Sequence, residues 1–373
     1  MRGGTSKALF FLEADLPPPG PARDSLLKRA MGTPDPMQID GLGGARLGTS
    51  KVAIVSRSGR PDADVDFTFA QVEIDRDSIS YDGGCGNISA AVGPFAIDEG
   101  LVPATAPLTT VRIYNSNTDK VLVAKVPVRA GKALVQGECA ISGVPGTGAE
   151  ILMDYAGTVG SGTGRLLPTG NVVDSVSLED GRSFEVSVCD VANPCVFVAA
   201  ADLGLGGGEL APAISGNREL VATMAQIRGK VGQRLGFWTD WSAGNLPAMP
   251  MFVIVAPAAD YVDMAGATQR ASSLDLRARL VYLDVCHESI AGTGAICLAA
   301  ASRIAGSVVH KAVGAAAASA SLRIGHPRGV TEVRVGVADS APFEPPRFAT
   351  LGFARTARRL MAGQIYLPDD AQA

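Results

Sequence analysis

The chain has 373 residues and a formal net charge of −4, with lysines and arginines scattered along its length and few aromatic residues. This leaves neither an electrostatic nor a stacking case for nucleic acid. No run of about 18 apolar residues is present, which argues against a spanning helix, and MRGGTSKALFF lacks the regions of a signal peptide.

The opening Arg2-Gly3-Gly4-Thr5-Ser6-Lys7 reads as a donor-rich turn before the apolar run Ala8 to Leu12. A strand ordinarily leads into such a turn, and its first half is missing here. Three prolines, Pro17 to Pro19, and then Pro21 mark a rigid loop before a charged helix near Arg23 to Met31. DGLGGARLGTSKVAIVS is a glycine-rich loop that delivers Thr49, Ser50 and Lys51 to the start of a strand. It is not a phosphate-binding Walker loop, because the spacing differs and no helix follows. ADVDFTFAQVEI alternates as a strand does.

Next comes YDGGCGNISAAVGPFAIDEGLV, residues 81 to 102, a glycine turn followed by a buried helix of small residues. Glycines there let a ligand approach the backbone. The first helical amides lack partners and carry partial positive charge, so an anion can sit on them. A thiol at Cys85 should ionise more readily in that setting than free cysteine. Cysteine also serves as a plain small apolar residue, and the stretch by itself leaves both roles open. Pro94 removes one helix hydrogen bond and predicts a kink.

Short strands follow from Val111 to Tyr155, and the glycines at 157, 160, 162 and 164 mark a joint between two domains, 1–160 and 161–373. GSGTGR resembles a phosphate loop only superficially and reads as a linker. Leu166 to Asn171 opens the second half, Asp180-Gly181 turns a hairpin, residues 209–234 carry a helical pattern, and MFVIVA is a buried strand. VCHESIAGTGAICLAAASRIAGSVV then repeats the earlier arrangement, with Gly292-Thr293-Gly294 before another helix of small residues. Two strands flank Gly325-His326-Pro327, and RTARRLMAGQIYLP supplies a terminal strand able to return to the first domain. Two such halves suggest facing copies with a polyanionic ligand between their helix starts. The six cysteines (85, 139, 189, 195, 286, 297) and three histidines (287, 310, 326) have no zinc or disulfide spacing. No metal and a reducing, cytoplasmic setting are expected.

Taken together, MRGGTSK, QIDGLGG, TSKVAIVS, ADVDFTFAQV, CGN…VGPFAI, LLPTGN, GTGA, GHP and RTARRLMAGQIY resemble, in order along the whole chain, the PrpF family of 2-methylaconitate isomerases, 4-oxalomesaconate tautomerases and methylitaconate isomerases. The resemblance implies an α+β, β-rich fold like that of diaminopimelate epimerase, two pseudo-symmetric domains with each sheet curled around a central helix. Epimerases of that fold use a cysteine before each central helix. Here Cys85 stands at the first, but Ala291 stands at the second and cannot exchange a proton. The PrpF-like families instead pair the first cysteine with the lysine of T-S-K, which is Lys51. Two departures stand out: Gly84 where the family commonly has asparagine, and Arg46-Leu47-Gly48 before T-S-K.

The reaction so implied moves a proton across three carbons of an unsaturated di- or tricarboxylate without a cofactor. It needs a base at one carbon, an acid at the other, and stabilisation of the dienolate between them. Lys51, neutral part of the time, is the expected base and Cys85 the acid, with the order reversible by substrate. An ordinary solvent-facing lysine is what Lys51 would be without the family likeness. Carboxylates are expected on Arg2, Thr5 and Ser6, on Ser50, on Gly86 and Asn87, on Thr169, Gly170 and Asn171, and on Gly292, Thr293 and Gly294. His287 and Ser289 precede the second turn and could reach the ligand, and His326 reads equally as a ligand or a turn-packing residue. Cys286-His287-Glu288-Ser289-Ile290 is similar to a stretch of some 4-oxalomesaconate tautomerases, which puts that substrate first. 2-Methylaconitate and methylitaconate are the alternatives, with an amino-acid epimerase or an inactive carboxylate-binding protein more remote. Self-association is common in the family, and no seam here predicts it.

Overall fold

Alternation decides the first ladder. In Val65–Val72, alternate side chains (Val65, Phe67, Phe69) are buried, and its partner Lys51–Arg57 buries Val52 to Val55. A computed structural model describes residues 1–81, 84–141, 143–242, 249–282, 284–338 and 345–367. The chain is α+β and strand-rich, and it divides into two compact units, Met1–Gly157 with Ala354–Ala373, and Thr158–Phe353.

In the first unit the sheet strands are β1 (Leu9–Leu12), β2 (Lys51–Arg57), β3 (Val65–Val72), β4 (Leu108–Asn115), β5 (Lys120–Arg129) and β6 (Ile151–Asp154), with helices α1 (Pro21–Met31) and α2 (Gly86–Asp98). β1 runs parallel to β2, β2 antiparallel to β3, β3 parallel to β4, and β4 to β5 to β6 antiparallel. Parallel neighbours need a crossover, and α1 and α2 supply the two. Leu27 and Met31 of α1 pack on Val52, Ile54, Ala70 and Val72. α2 is buried continuously from Ile88 to Ile97 and touches strands on several sides, so its small residues are a fit requirement. A Cβ at Gly93 would stand 2.9 Å from Val126 Cγ2. Pro94 lies inside α2, which continues past it without the Pro94 amide bond.

The second unit begins with a hairpin, β7 (Asp174–Ser177) and β8 (Ser183–Val191), and continues with β9 (Asn193–Ala199), β10 (Met251–Pro257), β11 (Leu276–Tyr282), β12 (Ser321–His326), β13 (Gly329–Ala338) and β14 (Arg347–Arg355). Its helices are α3 (Ala211–Gly216), α4 (Arg218–Arg234), α5 (Gly292–Ala301) and α6 (Val308–Val313). From β9 onward the pairing repeats that of the first unit: parallel, antiparallel, parallel, antiparallel, antiparallel. Leu220, Met224 and Ile227 of α4 join the cluster containing Phe252 and Ile254 of β10, as α1 packs on β2.

One polar device marks the repeat. Asp64, just before β3, accepts the backbone N–H and the guanidinium of Arg112 on β4, while Arg112 also reaches the Pro61 carbonyl. Asp275, just before β11, does the same with Arg323 on β12, which reaches the Ser272 carbonyl. Arg112 is 44% exposed, so solvent screens its pair with Asp64 and leaves that pair a small contribution to stability. Each fully buried Val or Phe of the core contributes about 1.5–3 kcal/mol. The clamp therefore fixes register across the crossover, and the core supplies stability.

Two expectations need correction, and a third, the helical pattern over 209–234, gains detail. The segment expected as a linker is a folded loop on a buried carboxylate: Ser161 Oγ, the Gly162 and Thr163 amides and Thr163 Oγ all donate to Asp190, which is fully buried. The segment 209–234 is two helices, because Asn217 ends α3 and its side chain caps α4 through the Leu220 amide. The expected terminal strand is broken and short: among the described residues Arg355 ends β14, and Ala357–Arg358 joins a ladder with Arg2–Gly3, which in turn pairs with Ser6–Lys7.

Candidate active site

The loop before β2 is built on one amide. Gln38, in left-handed backbone at φ 48°, receives the Ala45 N–H on Oε1 at 2.9 Å and donates Nε2 to Ser50 Oγ at 2.7 Å. A Cβ at Gly43 would lie 2.1 Å from Gln38 Oε1, so glycine is required there for the close approach. Ser50 is fully buried, and its hydroxyl donates to the Val72 carbonyl at 2.8 Å. Ser50 was expected on a substrate carboxylate. Both roles of its hydroxyl are instead used inside the protein, where it anchors the residue before Lys51.

Lys51 follows as the first residue of β2. It is half-buried, its Nζ 4.9 Å from the centre of the Phe69 ring and donating to Gln71 Oε1 at 2.6 Å. Gln71 is its direct cross-strand partner on β3, and Gln71 Nε2 donates to the Ser50 carbonyl at 2.8 Å. The amine is therefore aimed by two neighbours on β3, one of them held by the loop before β2.

Cys85 is the N-cap of α2, half-buried, with φ −116° and ψ 102°. Its carbonyl accepts both the amide and the hydroxyl of Ser89 at 2.9 Å, while its thiol makes no capping bond. Gly86 and Asn87 open the helix, where the leading amides lack helical acceptors. The Arg2–Ser6 turn lies against them. A Cβ at Gly3 would stand 2.4 Å from the Asn87 carbonyl, and one at Gly4 2.1 Å from Asn87 Oδ1. Asn87 Nδ2 donates to the exposed Thr5 at 3.0 Å, and Ser6 is buried. Arg2 gives Nη1 to the carbonyls of Gly4 and Thr356 at 2.9 and 2.8 Å, so it braces the turn. Of the two glycines before Cys85, Gly83 lies outside the described residues. A Cβ at Gly84 would be 2.9 Å from Asn115 Nδ2, so the Asn115 amide fills the room a side chain at 84 would need.

Composition gave no sign of two further groups beside Cys85. Arg355 donates Nε to Asn87 Oδ1 at 3.2 Å, and burial lowers its pKa against the opposing influence of Tyr155, Cys85 and Cys139. Burial also pushes the phenol of Tyr155 well up, despite the nearby Arg355 charge. Tyr155 closes the run of short strands from Val111 and Arg355 opens RTARRLMAGQIY, but only folding brings them to the thiol.

In the second unit, Thr169 Oγ1 and Asn171 Nδ2 both donate to the Asp174 carboxylate, at 2.6 and 2.8 Å, across the left-handed Gly170. Ala291 caps α5, and Gly292 and Thr293 form its first turn. Asn193 Nδ2 donates to Thr293 Oγ1 at 2.9 Å. Gly294 is buried, a Cβ there falling 2.2 Å from Leu280 Cδ1. His287 is exposed, its Nδ1 accepting the Ser289 amide at 3.0 Å, and Glu288 pairs with Arg328. His326 is 1% exposed with Nε2 2.9 Å from Thr331 Oγ1 across its own hairpin, which favours the turn-packing alternative.

The repeated topology gives each catalytic candidate a counterpart. Arg57 pairs with Val65, next to Asp64, and Pro257 pairs with Leu276, next to Asp275. β2 and β10 therefore align from end to end, and Lys51 matches Met251. Cys85 and Ala291, each the N-cap of its unit's buried helix, also match. Proton-exchanging side chains occupy these positions only in the first unit. Among the described residues no group of three or more His, Cys, Asp or Glu is placed to hold a metal ion, and no helix is long and apolar enough to cross a membrane.

Comparison with known proteins extends the likeness over the whole chain. It is 46% identical over 370 residues to the 3-methylitaconate isomerase of Eubacterium barkeri, covering 98% of this chain and 96% of that protein. It is 41% identical over 370 residues to the (4E)-oxalomesaconate Delta-isomerase of Novosphingobium sp. (strain KA1), covering 98% and 96%. The crystal structure of a methylitaconate-delta-isomerase superposes with a TM-score of 0.91 at 44% identity, covering all of this chain and 95% of that one. The protein is thus an isomerase with the strand-rich α+β fold of that structure. The PrpF protein family matches residues 1–368, and the chain belongs to that family.

Proposed function

We propose that the protein is a cofactor-independent allylic isomerase that moves a proton across three carbons of an unsaturated di- or tricarboxylate. The observation that carries this reading is the pair of proton-exchanging groups in one unit: Lys51, aimed by Gln71, and Cys85, at the cap of α2 with its thiol outside the capping bonds. Lys51 removes a proton from one end of the three-carbon unit, and the C–H electron pair passes into a dienolate. Cys85 returns a proton at the other end, so the double bond moves and nothing is oxidised or reduced. Leading amides of α2 and the Thr5 hydroxyl supply donors for the carboxylate that carries the dienolate charge. Retention of Ala291 where a second thiol would stand speaks against two-thiol racemisation.

The greater likeness to the Eubacterium barkeri protein supports a methylitaconate-type dicarboxylate as substrate. A second reading, 4-oxalomesaconate, is supported by the Cys286–Ile290 stretch and by the Novosphingobium relative. Proton NMR in deuterated water with 3-methylitaconate, 4-oxalomesaconate and 2-methylaconitate tests both. Deuterium entering an allylic carbon with product formation is the expected result, and the acid turned over fastest names the substrate. A folded protein that exchanges no proton on any of the three acids overturns the reading.

A further inference from the structure

β3 contributes a group to Lys51 that the acid–base pair alone does not account for. We propose that Gln71 is a positioning residue for Lys51, aiming the amine through its amide oxygen while, being uncharged, leaving it able to give up its proton. The inference rests on the reading of Lys51 as the base. Lys51 Nζ donates to Gln71 Oε1 at 2.6 Å, and the two residues face each other directly across the β2–β3 ladder.

The amide cannot turn over, because Gln71 Nε2 donates to the Ser50 carbonyl at 2.8 Å, and a carbonyl accepts only from the nitrogen end. Ser50 is in turn locked by Gln38 and by the Val72 carbonyl. The loop, the strand start and the amine are thus one connected network. Phe69 lies below the amine and adds no formal charge. A carboxylate in place of this amide would hold the lysine as ammonium, since an opposite charge at such range favours the charged form by about 1–3 pH units. In the second unit the strand-opening residue is Met251, and the position matching Gln71 is the exposed Tyr282. The amide accompanies the amine.

The test compares Gln71→Glu and Gln71→Met with the parent in two measurements. The first is the pH dependence of reductive dimethylation at Lys51, resolved by peptide mass spectrometry, which needs no turnover. The second is the pH dependence of kcat and KM with whichever of the three acids the parent converts. In Gln71→Glu the labelling midpoint and the acid limb of kcat are both expected to move up by about one pH unit or more. In Gln71→Met kcat is expected to fall about tenfold or more, with KM little changed and no upward movement of the labelling midpoint. A labelling midpoint in Gln71→Glu that stays at the parent's, or a Gln71→Met enzyme with the parent's kcat, overturns the proposal. A parent inactive on every acid overturns the functional reading, while the labelling curves still decide the Lys51–Gln71 contact.

Discussion

Lys51 and Met251 hold the same position in two copies of one topology, each opening the strand that pairs antiparallel with the strand after a clamping aspartate. Lys51 is half-buried over Phe69, whereas Met251 is 1% exposed. A methionine can replace the lysine, since its chain can lie on the same ring. Lys51→Met is therefore expected to fold with an unfolding midpoint near the parent's and to lose about a hundredfold or more of turnover. The reverse change, Met251→Lys, buries an unpaired charge and should cost about 3 kcal/mol or more. Urea unfolding of both variants checks this, and equal midpoints would contradict the assignment of the two environments.

Asn87 joins the first and last parts of the chain. Its amide nitrogen holds Thr5 and its oxygen holds Arg355, 268 positions away. Replacing it by alanine strips a partner from a largely buried guanidinium, a loss of about 1–3 kcal/mol. Asn87→Ala should also weaken binding of the substrate carboxylate, seen as a rise in KM beyond any fall in kcat. An unchanged unfolding midpoint would mean that Arg355 finds another acceptor.

Thiol accessibility separates the six cysteines. Cys189, Cys195, Cys286 and Cys297 are buried, and Cys85 and Cys139 are half-buried. Burial pushes the Cys286 thiol up to about 11, against the lowering influence of Arg279, so at pH 8 it is a neutral thiol as well as a hidden one. Iodoacetamide at pH 8 should label only Cys85 and Cys139 in the native protein, with loss of turnover following Cys85. Early labelling of Cys286 would place His287 and its neighbours differently.

Acid should act on the first unit partly through its clamp. Burial alone would raise the pKa of Asp64, but the Arg112 side chain and amide outweigh it and hold the carboxyl below the ordinary range. A carboxyl lowered in the folded state contributes stability that is present above its unfolded value, about 4, and lost as pH falls through the folded one. Unfolding midpoints followed from pH 6 to pH 3 should therefore fall less steeply in Asp64→Asn than in the parent. Parallel curves would remove Asp64 from the acid response.

Asp190 carries the loop that reads in sequence as a linker. Removing its carboxylate in Asp190→Ala leaves the donors of Ser161, Gly162 and Thr163 without their acceptor, and an expected loss of about 3 kcal/mol or more. Limited proteolysis should then open the chain between Gly160 and Gly164. Resistance equal to the parent's would show that the loop has other anchors.

Much of this was legible from residue order. Alternation in ADVDFTFAQV placed β3 and a run of small residues after glycine placed α2 and α5, because periodicity and backbone permissiveness are local properties, while Lys51 and Cys85 stood out only through the resemblance of TSK and CGN to the family. Ser50 read as a substrate contact because a hydroxyl next to a lysine looks available until its burial is known. GSGTGR read as a linker because its acceptor, Asp190, lies on another strand. The expected terminal strand stopped at Arg358 because a ladder needs a neighbour, which propensity does not supply.

The amino-acid sequence by itself determined the alternating and small-residue elements, the likeness to the family, and the placing of a lysine at a strand start and a cysteine before a helix of small residues. Only the tertiary structure decided which groups surround them. Gln71 faces Lys51 through strand register, Tyr155 comes near Cys85 from the end of β6, and Arg355 does so through the return of the chain to the first unit. It also matched Met251 with Lys51, because equivalence between the two units is defined by strand pairing, and hydrogen bonds between strands distant in sequence leave no trace in local residue order.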